Sequence, residues 1–266
     1  MTTNQPANAP RPSLAPIDLQ SVTALYRRFA FDLIAARRRL ASLKDRTPGS
    51  RWLFWRRPDG PAFDDLDAEI AYLLVRELRP RTVVEIARGG WSSAWILSAL
   101  RDNGIGALHS FHFSPESAPR VPDELAQGRH CFVPGDVRQK LDALPAPIDW
   151  LSVEVDRSAR FAHWVFEKLL PRLDDGTPVA IRGVFGVDER GDRRTGATVV
   201  LERIAAQSTP YFTATPSRAP ETFARLMELR AELGIGERVR RGVTTVHFRH
   251  RASEAPQSND DCPFLD

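Results

Sequence analysis

The chain has 266 residues, enough for one large α/β domain with an extension or for two small domains. Hydrophobic residues make up 42%, which supports a packed core and excludes a wholly disordered chain. A formal net charge of +3 leaves no global nucleic-acid footprint, and no apolar run approaches the roughly 18 residues needed to cross a bilayer.

Residues 1–16 are rich in Pro, Ala and Asn and are expected to be disordered. They lack an apolar segment of the secretory type, so the cytoplasm is the simplest location. Residues 17–64 form an N-terminal helical extension. Between Asp18 and Lys44 the apolar residues Leu19, Val22, Leu25, Phe29, Leu33, Ile34, Leu40 and Leu43 predict one amphipathic helix, capped by Asp18 or Ser21. Arg27, Arg28, Arg37, Arg38 and Arg39 surround that stripe, either as a solvated face or as a contact with a partner chain. The next segment, RWLFWRRPDG at 51–60, sets three aromatics beside three arginines; it can stack bases or clamp a domain mouth. Ten basic residues against three acidic ones lie between Ile17 and Arg57, and six acids against two arginines between Pro58 and Pro80. The basic helix is therefore expected to meet an acidic surface: segment 59–69 of its own chain, the same segment of a second copy, or a partner. With its apolar stripe it would pack over the mouth of the sheet, with Trp52, Phe54 and Trp55 near the ligand cleft, and help to form a homodimer.

Residues 65–250 alternate. A helix opened by Asp64, Asp65, Asp67 and Glu69 runs to about Arg79 and stops at Pro80. Strands are predicted at Thr82–Ala87, Ala107–Phe113, His130–Val133, Asp149–Val155, Pro178–Gly183, Tyr211–Thr215 and Val243–Arg249. Helices are predicted at Ser92–Asp102, Pro122–Gln127, Val137–Leu144, Ala159–Leu173, Thr198–Gln207 and Glu221–Leu233. This order predicts an α/β fold: a Rossmann-like, doubly wound, mostly parallel seven-stranded sheet, whose ligands bind outside the C-terminal strand ends. Cys131 and Cys262 give no disulfide framework, and the apolar run around Cys131 predicts a buried thiol. Residues 251–266 form a polar C-terminal tail.

The chemistry-bearing stretch is VVEIARGGWSSAW, residues 83–95. Glu85 falls near the end of the first strand and Gly89–Gly90 turn the chain into a helix, whose N-terminal amides favour a polar or anionic ligand group. Downstream come HSFHFSPE, then PGDVRQKL, IDWLSVEVDRSARF, LLPRLDDG and TPVAIRGVF. In order and spacing these resemble the class I S-adenosylmethionine-dependent methyltransferases, and within them a small bacterial subgroup with a D-x-D-H strand. The resemblance implies that Glu85, Ala87, Gly89, Gly90, His112, Gly135 and Asp136 border S-adenosylmethionine. It also implies that Glu154, Asp156 and Arg182 lie at the reacting end.

Several positions depart from that pattern. Ala87 stands where the family has its first turn glycine, and a Cβ disfavours positive φ and close approach to a ligand. Trp91 replaces a small residue. His112 replaces the acid expected after strand two, with Glu116 four residues late. D-x-D-H is here Glu154, Val155, Asp156, Arg157, and the strand-five H-D is Arg182-Gly183. Arg157 and Arg182 would repel a divalent cation, so no catalytic metal is expected. His109, His112, His130 and His163 show no zinc spacing. The expectation is a metal-independent methyltransferase acting on a small molecule or modified peptide, or alternatively a catalytically silent relative that serves as a binding or scaffolding subunit.

Overall fold

The computed structural model describes residues 16–46, 66–87, 90–111, 121–154, 158–185, 196–236 and 244–252, without the side chains of 44–46 and 91. Seven strands alternate with helices along the chain. They are β1 (Thr82–Ile86), β2 (Ala107–Phe111), β3 (His130–Val133), β4 (Trp150–Glu154), β5 (Pro178–Arg182), β6 (Tyr211–Phe212) and β7 (Val246–Arg249). They form one sheet in the order β3-β2-β1-β4-β5-β7-β6. β1 to β5 run parallel, and β7 is antiparallel to both β5 and β6. The order reverses between β1 and β4, which opens a crevice beyond their C-terminal ends.

Helices cover both faces. Val84, Ile86, Leu151, Val153, Val179 and Ile181 point to one core. It is closed by α6 (Ala159–Trp164) and α7 (Gly196–Ala206). Val83, Leu108, Trp150 and Ala180 point to the other. That core is closed by α3 (Leu66–Leu78), α4 (Gly90–Asn103) and α8 (Pro220–Glu232). Side chains alternate between faces along each strand, so strands buried on both sides read as nearly continuous apolar runs.

The single helix expected over Asp18–Lys44 is two helices, α1 (Leu19–Arg28) and α2 (Ala30–Arg46). Asp18 caps the first in a reciprocal pair with Ser21. The chain leaves helical geometry at Phe29, whose ring lies 5.0 Å from the guanidinium of Arg28 and 5.1 Å from that of Arg76. The apolar stripe is covered by this same chain: Val22, Leu25, Leu33, Leu40 and Leu43 join the core with α3, α4 and α8. The basic residues find their acids there too. Arg28 pairs with Glu77 at 2.6 Å, Arg37 with Glu69 at 2.6 Å, and Arg39 with Asp102 at 2.8 Å. Of the expected acidic stretch, Glu69 is one of these partners; Trp52, Phe54 and Trp55 lie outside the described residues.

Other elements differ from the reading of the sequence. Val137–Leu144 is not a helix but two single 3-10 turns, Val137–Gln139 and Leu141–Ala143, and of their residues only Val137 is buried. The helix predicted to Leu173 leaves α geometry at Val165, passes through a π turn to Leu169 and ends in a 3-10 turn holding Pro171. Proline has no N–H for the i−4 carbonyl, which loosens those turns. The short α5 (Asp123–Ala126) falls inside the predicted Pro122–Gln127. Cys131 is exposed, not buried. It sits on β3, the sheet edge, opposite His109, which is also only partly covered.

Candidate active site

Glu85 stands in β1 beside the crevice, with 1% of its surface exposed. Ser93, in the first turn of α4, donates to its Oε2 through a short hydrogen bond. Ser110 of β2 lies 3.3 Å from the same oxygen. Ser110 Oγ is in turn 3.0 Å from Nε2 of His130. Burial raises the Glu85 pKa; the hydroxyls of Ser92, Ser93 and Ser110 and the charge of Arg182 pull the other way. Its Oε1 has no hydrogen-bond partner of acceptable geometry. The carboxyl thus staples β1 to β2 and to α4 with one oxygen and leaves the other for a further group.

The helix after the turn starts at Gly90, two residues earlier than its sequence suggests. The amides of its first turn are therefore brought to the end of β1. Ala87 is buried, and its N–H donates to the carbonyl of Phe111 at 3.2 Å. Among the described residues the non-glycine positions with positive φ are Arg79, Gln127 and Ser208, so Ala87 is unstrained in its own turn. Gly135, after β3, has φ +100, a conformation that favours glycine. Asp136 follows it and is held by its neighbour. Arg138 Nε reaches both carboxylate oxygens at 3.0 and 2.9 Å, Nη2 reaches one at 2.6 Å, and the Arg138 amide donates at 2.9 Å. These bonds keep its pKa below the usual carboxylate value. Gly89, His112 and Asp156 lie outside the described residues, as do Glu116 and Arg157.

Glu154 and Arg182 close the C-terminal ends of β4 and β5 in direct register. They share a sheet face with Glu85, since Glu85 pairs with Ser152, two residues before Glu154. Sequence reading missed the buried polar residues on that face: Ser93, Ser110, Ser152, Thr245 and His247. The stretch Thr245, Val246, His247, Phe248, Arg249 carried a signal, because polar and apolar residues alternate strictly. Among the described residues no three His, Cys, Asp or Glu side chains gather as ligands of a cation would. None of the described helices is long and apolar enough to cross a membrane.

A seven-stranded, mostly parallel sheet with an antiparallel β7, and an acidic β1 end leading into a helix N-terminus, has the Rossmann-like methyltransferase fold. Residues 84–181, from β1 to β5, match the family model described as a methyltransferase domain. Among solved structures, cofactor-bound Rv0187 from MTB superposes with a TM-score of 0.51 at 14% identity, over 76% of this chain and 86% of that one. An O-methyltransferase from Bacillus cereus in complex with SAH gives 0.49 at 16% identity, over 87% and 98%. The O-methyltransferase TomG from Streptomyces achromogenes, involved in tomaymycin synthesis and in complex with SAM, gives 0.49 at 18%, over 88% of each chain. At these identities the likeness of Rv0187 speaks for the fold. None of the curated proteins matches this sequence.

Proposed function

We infer that the protein is an S-adenosylmethionine-dependent methyltransferase acting on a small molecule or a modified peptide, without a catalytic metal. The observation that carries this reading is the Glu85 carboxyl. It is buried at the reversal point of the sheet, bonded to the first turn of α4, and has one oxygen without a partner. Such an oxygen suits an amino group, and the α4 amides suit a carboxylate, so together they fit the amino-acid part of the cofactor. Gly89, Gly90, Ala87, His112, Gly135 and Asp136 would complete its bed. The cofactor, when bound, supplies a methyl group on a sulfonium, which is already a good leaving group. The protein's part is then mostly orientation. Glu154 is the described carboxylate at the reacting end that can accept the proton the acceptor sheds, with Asp156 or water as the other routes. Arg182, a fixed positive charge in register with Glu154, favours a site that works without a divalent cation.

One observation favours the silent alternative. Arg138 occupies both oxygens of Asp136, the residue that the resemblance sets beside the cofactor. A homo-oligomeric contact through the N-terminal helices would have to use their outer face, where Phe31 is 90% exposed near Arg27 and Arg38, because the inner stripe is already covered.

Calorimetric titration with S-adenosylmethionine and S-adenosylhomocysteine tests the reading. Binding is expected in the wild type and should weaken about tenfold or more in Glu85→Gln and Ser93→Ala, which remove one hydrogen-bonding role each. Absence of heat and of any thermal shift at millimolar cofactor would overturn it. Methyl transfer should persist in a chelator, and loss with rescue by magnesium would refute metal independence.

A further inference from the structure

The strand ends of the crevice divide their charge unevenly. On the α3/α4 face, register sets Glu85, Ser152, Ala180 and His247 in one row from β1 to β7. One step nearer the C-terminal ends of the parallel strands, Glu154 lies beside Arg182. Thr245 continues that second row, since it precedes Val246, the partner of Ile181. Carboxyls therefore end β1 and β4, and hydrogen-bond donors end β5 and begin β7, where the buried Asp67 of α3 accepts from the Thr244 amide at 2.8 Å.

Those donors are unusually placed. Thr245 is 2% exposed and its Oγ1 has no partner. His247 is 1% exposed and neither ring nitrogen has one. Buried polar groups in folded proteins almost always bond to something, so two neighbouring residues without partners mark a place built for a group from outside the chain. Ala180, between Ser152 and His247, contributes only a methyl to that row. Burial and the charge of Arg182 push the His247 pKa down to about 3, so the ring is neutral and offers a single N–H. The geometry is fixed by bonds across the exit of β5: the Gly183 amide donates to Thr244 Oγ1 at 3.2 Å and the Val184 amide to the Thr244 carbonyl at 3.0 Å. A guanidinium fork, a hydroxyl and a neutral imidazole N–H around one small floor match the two oxygens of a carboxylate.

We propose that Arg182, Thr245 and His247 form a receptor for a carboxylate of the methyl acceptor, so that the acceptor is an organic anion and not a neutral or cationic molecule. The assignment rests on the cofactor taking the β1–β3 side of the crevice, which leaves the β4–β5–β7 side to the second substrate.

The test uses the full chain, with and without saturating S-adenosylhomocysteine. Benzoate and 4-hydroxybenzoate are titrated beside their neutral counterparts benzamide and 4-hydroxybenzamide, by calorimetry and ligand-observed NMR. The carboxylates are expected to bind, and the amides about tenfold more weakly or not at all. Arg182→Gln and the near-isosteric Thr245→Val should each weaken carboxylate binding about tenfold, while Thr245→Val keeps its thermal melt and its affinity for S-adenosylhomocysteine. Equal binding of amide and carboxylate, carboxylate binding undiminished in both variants, or no carboxylate bound by the wild type would overturn the proposal; the last result would mean that ordered water alone satisfies these atoms. If carboxylates bind through Arg182 while S-adenosylhomocysteine does not bind, the cofactor reading falls and the receptor stands. If S-adenosylhomocysteine binds and carboxylates do not, the receptor falls alone.

Discussion

Glu69 of α3 and Glu85 of β1 are both carboxyls with no more than 1% of their surface exposed, and they lie on the same side of the sheet. Their surroundings differ. Arg230 of α8 donates to Glu69 from Nε at 2.8 Å and from Nη2 at 3.0 Å. Arg37 of α2 adds a bond of 2.6 Å and Tyr26 of α1 one of 3.1 Å. Both oxygens are used, and four helices are tied together by one acid. Glu85 has hydroxyls on one oxygen and no partner on the other, and His247 and Thr245 on the same face are likewise unpartnered. A fully satisfied buried polar cluster fixes structure, while an unsatisfied one is held in place for something else. Burial alone does not separate scaffold from site; the bookkeeping of partners does.

The comparison breaks most readily at Glu69. Glu69→Ala removes the buried carboxylate that pairs with the fully buried Arg230 and the partly buried Arg37 and should cost about 3–5 kcal/mol. Guanidinium denaturation measures it. The double replacement Glu69→Leu with Arg230→Met should recover most of that loss, because an apolar pair of similar volume needs no partner. A cost below about 1 kcal/mol in the single variant would show that the network does not hold the N-terminal helices in place.

A second, smaller effect lies in pH. His247 has its pKa lowered from the ordinary 6.5 to about 3, first by burial and then by Arg182. The unfolded chain takes up the proton at the ordinary value and the folded chain does not. Stability from this residue is therefore complete above pH 6.5 and falls as pH drops toward 3, by at most about 1.4 kcal/mol per pH unit. Glu85 has the opposite sign. Its raised pKa means that the unfolded chain loses the proton first, so its contribution declines as pH rises above the ordinary carboxyl value. Unfolding curves of the wild type and of His247→Leu at pH 5 and pH 7 isolate the histidine: the variant should lose part of the difference between the two. An unchanged difference would mean that the ring is not neutral in the folded protein.

The finest distinction is one of sign. Tyr26→Phe removes a donor from the satisfied cluster and should destabilise by about 1 kcal/mol. Thr245→Val removes an unpartnered hydroxyl and should be neutral or stabilise by up to about 1 kcal/mol. Thermal melts without ligand decide between them. Equal losses in the two variants would erase the contrast between the clusters.

The alternation of strands and helices and the positions of all seven strands were legible in the sequence, because side-chain period and turn residues are local signals. Edges were less so. The strand expected at Tyr211–Thr215 pairs only over Tyr211–Phe212, and β7 begins at Val246, since a strand ends where its neighbour ends. The break at Phe29 had no glycine or proline to announce it; two guanidiniums from different helices meet the Phe29 ring there, and one of them comes from 47 residues away. Cys131 looked like core because its neighbours are apolar, but whether a strand face is covered depends on its place in the sheet, and β3 is the edge. The site divides in the same way. That Glu85, Glu154 and Arg182 stand at or next to strand ends could be read from the sequence. That Ser152, Ala180 and His247 stand in one row with Glu85 follows only from the strand order and register, which bring together residues far apart in the chain. Sequence determined which residues face a core; the pairing of strands decided which of them face one another.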